Sequence, residues 1–339
     1  MRAAVLPKTG GPEVFEIQDR PEPSLGPGRM LVRVRAAGIN FADLMARQGL
    51  YPDAPELPSI LGYEVAGQVE QVGDGVEGFA VGDRVLGWCR FGGYAELVSA
   101  RDHDLIPLPE DWSFEEGASF PVAYGTAYAA LVAYGNLRAG ERLLIQAAAG
   151  GVGIACTQIA KLLGAEIFGT ASSSKHNAIR EFGVQHPIDY GNKDFAEEVR
   201  RITGEESPLD LIVDGIGAAS WKAGYGLLTP GGRLVMIGAS SFVSGEKRNL
   251  RKAAVNLAKV PRFNPIKMSS ESRSVMGLNM LRLWDARGTL DEYTDALAPW
   301  VDQGLLRPVV SEAFPLERVA DAHRYIGERK NVGKVVLTV

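Results

Sequence analysis

Cysteine and histidine are scarce in this sequence. Its 339 residues include two cysteines, Cys89 and Cys156, and four histidines, His103, His176, His186 and His323. Two cysteines so far apart do not indicate a disulfide framework, which favours the cytoplasm as the compartment. A zinc site needs cysteine or histidine ligands at close spacing, and these residues do not have it. We therefore predict no bound metal ion, and we interpret the histidines as surface or packing residues.

A strong charge imbalance and a clear membrane segment are also lacking. The formal net charge is −5, and no basic cluster is large enough to suggest a nucleic-acid surface. Residues 143–160 contain no charged side chain over a length typical of a transmembrane helix. Glycines and glutamines interrupt this run, however, and a buried parallel strand followed by a buried helix also explains the missing charge. We expect a cytoplasmic protein with no nucleic-acid partner and no membrane association.

The pattern of apolar residues divides the chain into two kinds of sequence. Residues 1 to about 100 contain short alternating segments separated by glycine and proline, which is typical of a partly open β-barrel. From about residue 113 to Gly238, strand and helix patterns alternate, which predicts an α/β fold with a doubly wound parallel sheet. Residues 333–339 form a final strand pattern, expected to return to the barrel. The predicted domains are a barrel domain of residues 1–120 and 268–339 and a parallel-sheet domain of residues 121–267.

A glycine-rich turn lies between a predicted strand, 143–146, and a predicted helix that ends at Gly164. The turn consists of Gly150, Gly151, Val152 and Gly153. Glycine lets the backbone approach a pyrophosphate closely, and the helix N-terminus adds unpaired N–H groups and the positive end of a dipole. A tight strand-to-helix turn without a ligand is the alternative. Strand, glycine turn and helix in this order predict a dinucleotide site.

The residues after the next strand bear on the choice of dinucleotide. In such folds an acidic residue about 20 positions after the glycines binds the ribose hydroxyl of NAD. This sequence has instead a hydroxyl-rich and basic segment from Thr170 to Lys175, which includes Ser172. Hydroxyl and ammonium groups suit a 2′-phosphate, so we predict NADPH as the cofactor, with NADH still open. The serines can also cap the following helix, and the two roles are compatible.

Short motifs along nearly the whole chain resemble those of one superfamily. They are residues 37–43, 49–52, 62–67, 82–85, 92–96, 149–153 and 331–335. With these motifs the sequence resembles the medium-chain dehydrogenase/reductase superfamily and, within it, the zinc-independent quinone oxidoreductases. The segment that starts at Gly245 resembles the branch related to the vesicle amine transport protein. The resemblance implies a Rossmann nucleotide domain and a GroES-like catalytic domain.

The resemblance also implies roles for individual residues. It places Lys175 at the 2′-phosphate, Tyr190 at the adenosine, Gly151 to Gly153 at the pyrophosphate, Thr126 and Gly238 on the nicotinamide side, and Asn40 and Tyr51 in the substrate pocket. The zinc-dependent members have cysteine and histidine where this sequence has Asn40 and Tyr63.

A protein without zinc has no Lewis acid to activate an alcohol, so hydride transfer to an enone or a quinone is the expected chemistry. The oxygen that gains negative charge then needs hydrogen-bond donors, and Asn40, Tyr51 and Tyr63 are the candidates. Either tyrosine can instead pack against the nicotinamide or line an apolar wall, and the proton can come from water. We predict an NADPH-dependent reductase of quinones or α,β-unsaturated carbonyls that forms a homodimer.

Two other functions remain open. One is an enoyl-CoA reductase of a biosynthetic pathway, and the other is a membrane-associated adaptor that binds NADPH with little turnover. The basic segment from Lys247 to Lys252 bears on this choice. It can be a solvated loop, a membrane-surface patch, or a site for an anionic substrate tail such as a coenzyme A phosphate.

Overall fold

A computed structural model describes residues 1–243, 245–246 and 248–339. Lys247, the first residue of the basic segment, and Ser244 lie outside the described residues. The chain divides into two compact units. The first unit consists of Met1–Gly125, Val243–Arg248 and Leu281–Val339, and the second consists of Thr126–Phe242 and Asn249–Met280. The sequence predicts domain boundaries after residues 120 and 267, whereas these units divide after Gly125 and Met280, which lie 5 and 13 residues later.

The described strands and helices have the following bounds. The strands are β1 (Arg2–Leu6), β2 (Glu16–Asp19), β3 (Arg29–Ile39), β4 (Ser59–Ile60), β5 (Glu64–Val72), β6 (Arg84–Trp88), β7 (Leu97–Arg101), β8 (Leu105–Pro107), β9 (Arg142–Ile145), β10 (Glu166–Ala171), β11 (His186–Asp189), β12 (Leu209–Asp214), β13 (Leu228–Met236), β14 (Ser274–Gly277), β15 (Val310–Pro315) and β16 (Lys334–Thr338). The helices are α1 (Phe41–Arg47), α2 (Phe114–Gly117), α3 (Pro121–Tyr128), α4 (Gly151–Leu162), α5 (His176–Phe182), α6 (Phe195–Thr203), α7 (Ala219–Gly226), α8 (Leu250–Ala258), α9 (Pro265–Glu271), α10 (Met280–Arg287), α11 (Asp291–Asp302) and α12 (Val319–Gly327).

Mainly antiparallel sheets form the first unit. Its larger sheet has the strand order β15-β16-β3-β5-β6-β8, with β7 also paired to β3, and its smaller sheet has the order β2-β1-β4. On β3 the side chains of Val32 and Val34 are buried, whereas those of Arg33 and Arg35 are exposed. This period of two puts one face of the strand in the core and the other in solvent. β16 pairs antiparallel with β3, so the end of the chain returns to this sheet, as the sequence predicts.

A parallel sheet forms the core of the second unit. Its strand order, β11-β10-β9-β12-β13-β14, is the order 3-2-1-4-5-6 of a doubly wound nucleotide-binding fold. In β9 the residues Leu143, Leu144 and Ile145 are all buried, because a strand covered on both faces is apolar throughout. The strand order reverses beside β9, and ligands of such sheets bind outside the carboxyl ends of the strands at this point.

The predicted α/β architecture, a doubly wound parallel sheet with a barrel-like antiparallel unit, is confirmed. Beyond Gly238, where the alternating sequence pattern ends, the chain contains α8 and α9, and Pro265 begins α9, where a missing N–H is not needed. Helix α9 is followed by β14, which adds a strand to the parallel sheet beside β13. The sequence pattern does not reveal β14, because four residues are too few to show a period. Among the described residues, no helix combines the length and apolar character needed to cross a membrane.

Candidate nucleotide and substrate sites

The glycine turn follows β9, beside the point where the strand order of the parallel sheet reverses. Helix α4 begins at Gly151, its N-cap Gly150 forms no side-chain cap, and its first turn contains no acidic residue. The N–H groups and the positive dipole end of this helix therefore face no carboxylate of their own first turn. This arrangement fits an anionic group such as a pyrophosphate.

Gly153 shows why the turn needs a residue without a side chain. A Cβ atom at this position would lie 2.5 Å from the carbonyl oxygen of Ala147 and 2.7 Å from the backbone of Ala148. A Cβ atom at Gly150 would lie 3.4 Å from the same oxygen, which is an ordinary contact. Close packing of α4 against the residues after β9 therefore depends on Gly153, whereas Gly150 is not demanded by packing within the protein.

The predicted specificity residues follow β10 and β11, at the same carboxyl edge of the sheet. The backbone N–H of Lys175 donates to the carbonyl oxygen of Ser172 at 2.9 Å, which closes a turn. The hydroxyls of Ser172 and Ser174 lie 3.3 Å apart. Lys175 is half-buried, and Tyr190 is 43% exposed. The turn therefore brings two hydroxyls and the backbone of one basic residue together at this edge.

Asp189, the last residue of β11, stands at this edge too. Hydrogen bonds from the side chain of Asn192 and the N–H of Gly191 lower the pKa of its carboxyl, and the Ser173 hydroxyl adds to the effect. The sequence pattern does not point to Asp189, because the expected position of an acidic residue is the end of β10. The signal that reveals it is the strand order, since β11 is the neighbour of β10.

Thr126 and Gly238 are the remaining predicted contacts of the nucleotide. Thr126 lies in α3 and is 8% exposed. Gly238 follows β13, and a Cβ atom there would lie 3.5 Å from the carbonyl oxygen of Gly215. Packing within the protein therefore does not require glycine at 238.

A buried ion pair in the first unit holds the predicted substrate residue Asn40. The ammonium of Lys334 donates to Glu64 Oε1 at 2.6 Å, to Asn40 Oδ1 at 2.7 Å and to the carbonyl oxygen of Ile39 at 2.9 Å. Asn40 Nδ2 donates to Glu64 Oε1 at 2.9 Å, and the N–H of Val122 donates to Glu64 Oε2 at 2.8 Å. The side chains of Lys334 and Glu64 are 7% and 0% exposed. The orientation of the Asn40 amide is thereby fixed, since its oxygen faces an ammonium and its nitrogen a carboxylate.

The two predicted tyrosines lie together, with the ring centroids of Tyr51 and Tyr63 6.4 Å apart in an edge-on arrangement. Tyr63 is 5% exposed, and its hydroxyl has no hydrogen-bond partner among the described residues. Burial raises the pKa of Tyr63 well above its usual range, so the hydroxyl stays protonated. Leaving a buried polar group without a partner costs about 1–3 kcal/mol. The Tyr63 hydroxyl is therefore suited to donate to a bound ligand.

Asp43 is a further buried carboxyl beside Asn40. Its oxygens accept hydrogen bonds from the N–H groups of Asn40 at 2.8 Å and Gly62 at 3.3 Å. Burial raises the pKa of Asp43 to about 7, against the effect of these hydrogen bonds. Asp43, Glu64 and Lys334 are not among the residues singled out from the sequence. Each nevertheless lies in one of the family-like motifs, and a charged residue within an otherwise apolar motif is the signal that can reveal them.

Known proteins resemble this chain along its whole length. The Alcohol dehydrogenase GroES-like domain matches residues 26–110, and the Zinc-binding dehydrogenase family matches residues 182–337. The synaptic vesicle membrane protein VAT-1 homolog of Danio rerio is 40% identical over 339 residues, which cover 99% of this chain and 70% of that protein. The chain belongs to the medium-chain dehydrogenase/reductase superfamily. Within this superfamily it lies in the VAT-1-like branch of the quinone oxidoreductases, as the sequence motifs predict.

Further relatives agree with this membership. The quinone oxidoreductase of Homo sapiens is 31% identical over 341 residues, which cover 99% of this chain and 97% of that protein. The solved structure of the CurK enoyl reductase has a TM-score of 0.86 and 28% identity, covering 99% of this chain and 98% of that one. Mycobacterial Rv1454c, solved in complex with NADPH, has a TM-score of 0.86 and 31% identity, with 100% of each chain covered. Membership in this family makes the chain an oxidoreductase.

The description of one matching family includes zinc, and the residues of the first unit do not fit a zinc ion. Where the zinc-dependent members of the superfamily are expected to have cysteine and histidine, this chain has Asn40 and Tyr63. The ammonium of Lys334 already lies among the oxygens of Asn40, Glu64 and Ile39, where its charge would repel a divalent cation. Within the described residues, no group of three or more histidine, cysteine, aspartate or glutamate side chains is placed to hold a metal.

Proposed function

We propose that this oxidoreductase transfers hydride from NADPH to a quinone or an α,β-unsaturated carbonyl without zinc. The observation that carries the proposal is the glycine turn at the switch point of a parallel sheet with the order 3-2-1-4-5-6. The serines and Lys175 after β10 support NADPH over NADH. The quinone oxidoreductase of Homo sapiens supports this reaction class, and the NADPH complex of mycobacterial Rv1454c supports the cofactor.

The second unit provides the nucleotide site in this proposal. NADPH, when bound, supplies the hydride. The N–H groups at the start of α4, from Gly150 to Gly153, hold its pyrophosphate, and Ser172 and Lys175 hold its 2′-phosphate. Tyr190 contacts the adenosine, and Thr126 and Gly238 contact the nicotinamide side. Asp189 disfavours a phosphate at the same edge, so the contribution of Lys175 must exceed this repulsion.

The first unit provides the donors for the acceptor's oxygen. The hydroxyl of Tyr63 is neutral and has no partner among the described residues, so it can donate as negative charge develops. Asn40 has a second N–H on Nδ2 beyond the one that Glu64 accepts, and Lys334 keeps this amide in one orientation. Tyr51 lies beside Tyr63 and adds a further hydroxyl. The proton that completes the reduction comes from water in this scheme.

The reaction can be tested by following NADPH oxidation with panels of quinones, enones and enoyl thioesters, each with and without a chelator. We expect turnover of quinones or enones that a chelator does not change. Loss of activity with a chelator would contradict the zinc-free mechanism. Turnover restricted to enoyl thioesters would favour the second candidate, an enoyl thioester reductase, which the likeness to the CurK enoyl reductase supports.

We also propose that the protein is a cytoplasmic homodimer that associates at the β14 end of the parallel sheet. β14 is the last strand of that sheet, and its described pairing is with β13 alone. The helices that precede β14 in the sequence, α8 and α9, carry large apolar side chains that are 54–82% exposed, namely Leu250, Val255, Leu257 and Ile266. An unpaired strand edge and exposed large apolar side chains are typical of an interface.

Sedimentation of the purified protein should give a dimer, and Ile266→Arg should weaken it. Co-sedimentation with anionic vesicles is the contrasting measurement, because exposed Arg251 and Lys252 flank the same apolar side chains. A monomer that binds these vesicles and oxidises no NADPH would support the adaptor hypothesis instead.

A further inference from the structure

A chain of hydrogen bonds joins the carboxyl ends of three neighbouring strands in the second unit. The N–H of Ala147 donates to Thr170 Oγ1 at 3.0 Å, and the Thr170 hydroxyl donates to Gln146 Oε1 at 2.6 Å. Gln146 Nε2 donates to Ser220 Oγ at 3.2 Å, and the Ser220 hydroxyl donates to Asp214 Oδ2 at 2.5 Å. Gln146 follows β9, Thr170 lies in β10, Asp214 ends β12, and Ser220 lies in α7.

The carboxylate of Asp214, at one end of this series of hydrogen bonds, sets their donor-to-acceptor direction. Asp214 Oδ1 accepts from the N–H groups of Ile216 at 2.6 Å and Gly217 at 3.1 Å, while Oδ2 accepts from Ser220. Both carboxylate oxygens of Asp214 therefore act as acceptors in this arrangement. An asparagine of the same shape would have to turn its amide N–H groups toward one of these donors.

The backbone at the other end sets the same direction. The N–H of Ala147 can only donate, so the Thr170 hydroxyl directs its own hydrogen to Gln146 Oε1. Gln146 must then present Nε2 to Ser220, whose hydrogen goes to Asp214. Gln146, Thr170 and Asp214 are 8%, 1% and 0% exposed, and such buried bonds are strengthened by the low local polarity and polarise one another.

The series of hydrogen bonds ends at Ala147 and holds its backbone N–H. Ala147 has a φ of 56°, in the left-handed region that residues with a Cβ atom rarely adopt. Its carbonyl oxygen accepts the N–H of Gly150 at 3.0 Å and lies where a Cβ atom of Gly153 would come within 2.5 Å. The orientation of the Ala147 backbone therefore sets the path of the glycine turn.

We infer that Asp214 is a positioning residue for the nucleotide turn, acting through Ser220, Gln146 and Thr170 on the backbone of Ala147. This inference rests on the proposed function, because it assigns NADPH to that turn. Asp214 does not contact the nucleotide in this scheme. It fixes which group donates and which accepts in each hydrogen bond of the series, and these hydrogen bonds hold the turn in the geometry that binds a pyrophosphate.

Asp214→Asn and Thr170→Val nearly preserve the shape of the side chain, and each interrupts the series of hydrogen bonds at a different point. The NADPH dissociation constant, the KM for NADPH and kcat are measured for each, for Thr170→Ser and for the double variant. Amide hydrogen exchange at Ala147 is measured in the nucleotide-free protein. Thr294→Val is the matched control, because its hydroxyl is also buried but donates to Asp291 in the first unit.

We expect Asp214→Asn and Thr170→Val each to raise the NADPH dissociation constant and KM about tenfold, with kcat changed by less than about twofold. Thr170→Ser should restore binding, because serine keeps the hydroxyl. The double variant should be no weaker than the weaker single variant, since both interrupt one chain. Exchange at Ala147 should become faster in both single variants, and Thr294→Val should behave as the unaltered protein.

Folded variants with unchanged NADPH affinity, or effects that multiply in the double variant, would overturn this inference while leaving the proposed function in place. Absence of NADPH binding by the unaltered protein would overturn both. If Asp214→Asn does not fold, Ser220→Ala interrupts the same chain at a half-buried position, and the same outcomes decide.

Discussion

The two units bury polar groups in different ways. In the first unit the carboxylate of Glu64 is paired with the ammonium of Lys334, and nearby the hydroxyl of Tyr63 has no partner among the described residues. In the second unit Asp214 is held by backbone N–H groups and the Ser220 hydroxyl, in a chain whose hydroxyls both donate and accept. A chain with every group satisfied suits a rigid support, whereas an unpaired donor suits a site that awaits a ligand.

Breaking the ion pair of the first unit should have the largest effect. Lys334→Met leaves the Glu64 carboxylate buried without its cation, which should lower the free energy of unfolding by about 3–5 kcal/mol. Urea denaturation measures this change. Lys330→Met is the matched control, because its pair with Glu328 is exposed and should contribute little to stability. Equal, small effects of the two substitutions would remove the distinction between the units.

Removing the ammonium of Lys175 tests the second unit by itself. If Lys175 binds the 2′-phosphate, Lys175→Ala should weaken NADPH roughly 10- to 100-fold, the range for a hydrogen bond between charged groups. NADH binding should stay nearly unchanged, and fluorescence titration with each nucleotide measures both. Lys222→Ala, at an exposed position of α7, should affect neither. Equal losses for NADPH and NADH would contradict the assignment of Lys175.

The buried carboxyl of Asp43 should make the first unit sensitive to pH. Burial raises its pKa from 3.8 to about 7, so between these values the folded state keeps a proton that the unfolded chain has released. Its contribution to stability is therefore fully present below about pH 4 and is lost as the pH rises through about 7, at up to about 1.4 kcal/mol per pH unit. Urea denaturation over this range should show the slope.

Asp43→Asn should reduce this slope, because asparagine does not titrate. A slope that Asp43→Asn leaves unchanged would assign the pH dependence to other groups. Burial raises the pKa of Asp214 as well, so its contribution has the same sign and Asp214→Asn is the comparison in the second unit.

Removing the unpaired hydroxyl should cost no stability. Tyr63→Phe breaks no hydrogen bond of the described residues and removes a buried hydroxyl without a partner, so the free energy of unfolding should stay level or rise by up to about 1–3 kcal/mol. If the hydroxyl donates to the acceptor's oxygen, kcat should fall about tenfold, since Asn40 and Tyr51 remain. Tyr225→Phe should lower the free energy of unfolding and leave kcat unchanged, because the Tyr225 hydroxyl donates to Glu271 at 2.9 Å. A stability loss without a change in kcat would make Tyr63 a packing residue.

Much of the fold can be predicted from local patterns. The apolar run in β9, the period of two in β3 and the glycines before α4 each report on a strand, a face or a turn within a few residues. β14 escapes such prediction because it is short, and the placement of residues 243, 245–246 and 248 with the first unit depends on contacts far along the chain. One such contact is the bond from the guanidinium of buried Arg47 to the carbonyl oxygen of Glu246 at 2.9 Å.

Motifs of the family make Asn40, Tyr51, Tyr63 and the nucleotide residues predictable, and their roles stay predictions that the variants above test. What holds Asn40 in place cannot be deduced from the sequence, since Lys334 and Glu64 are 270 positions apart. Asp189 illustrates the same limit in the second unit. The end of β10 has no carboxylate, although the neighbouring strand brings one to the same edge.

The sequence by itself determined the alternation of strands and helices, the glycine turn before α4, and the basic residue after β10. These depend on residues close together in the chain, whose periods and sizes are visible without a structure. Only the tertiary structure decided the partners of Glu64, the direction of the hydrogen bonds that link Ala147 to Asp214, and the unpaired hydroxyl of Tyr63. Buried polar groups find their partners through the register of strands that are distant in sequence, and no local pattern encodes that register.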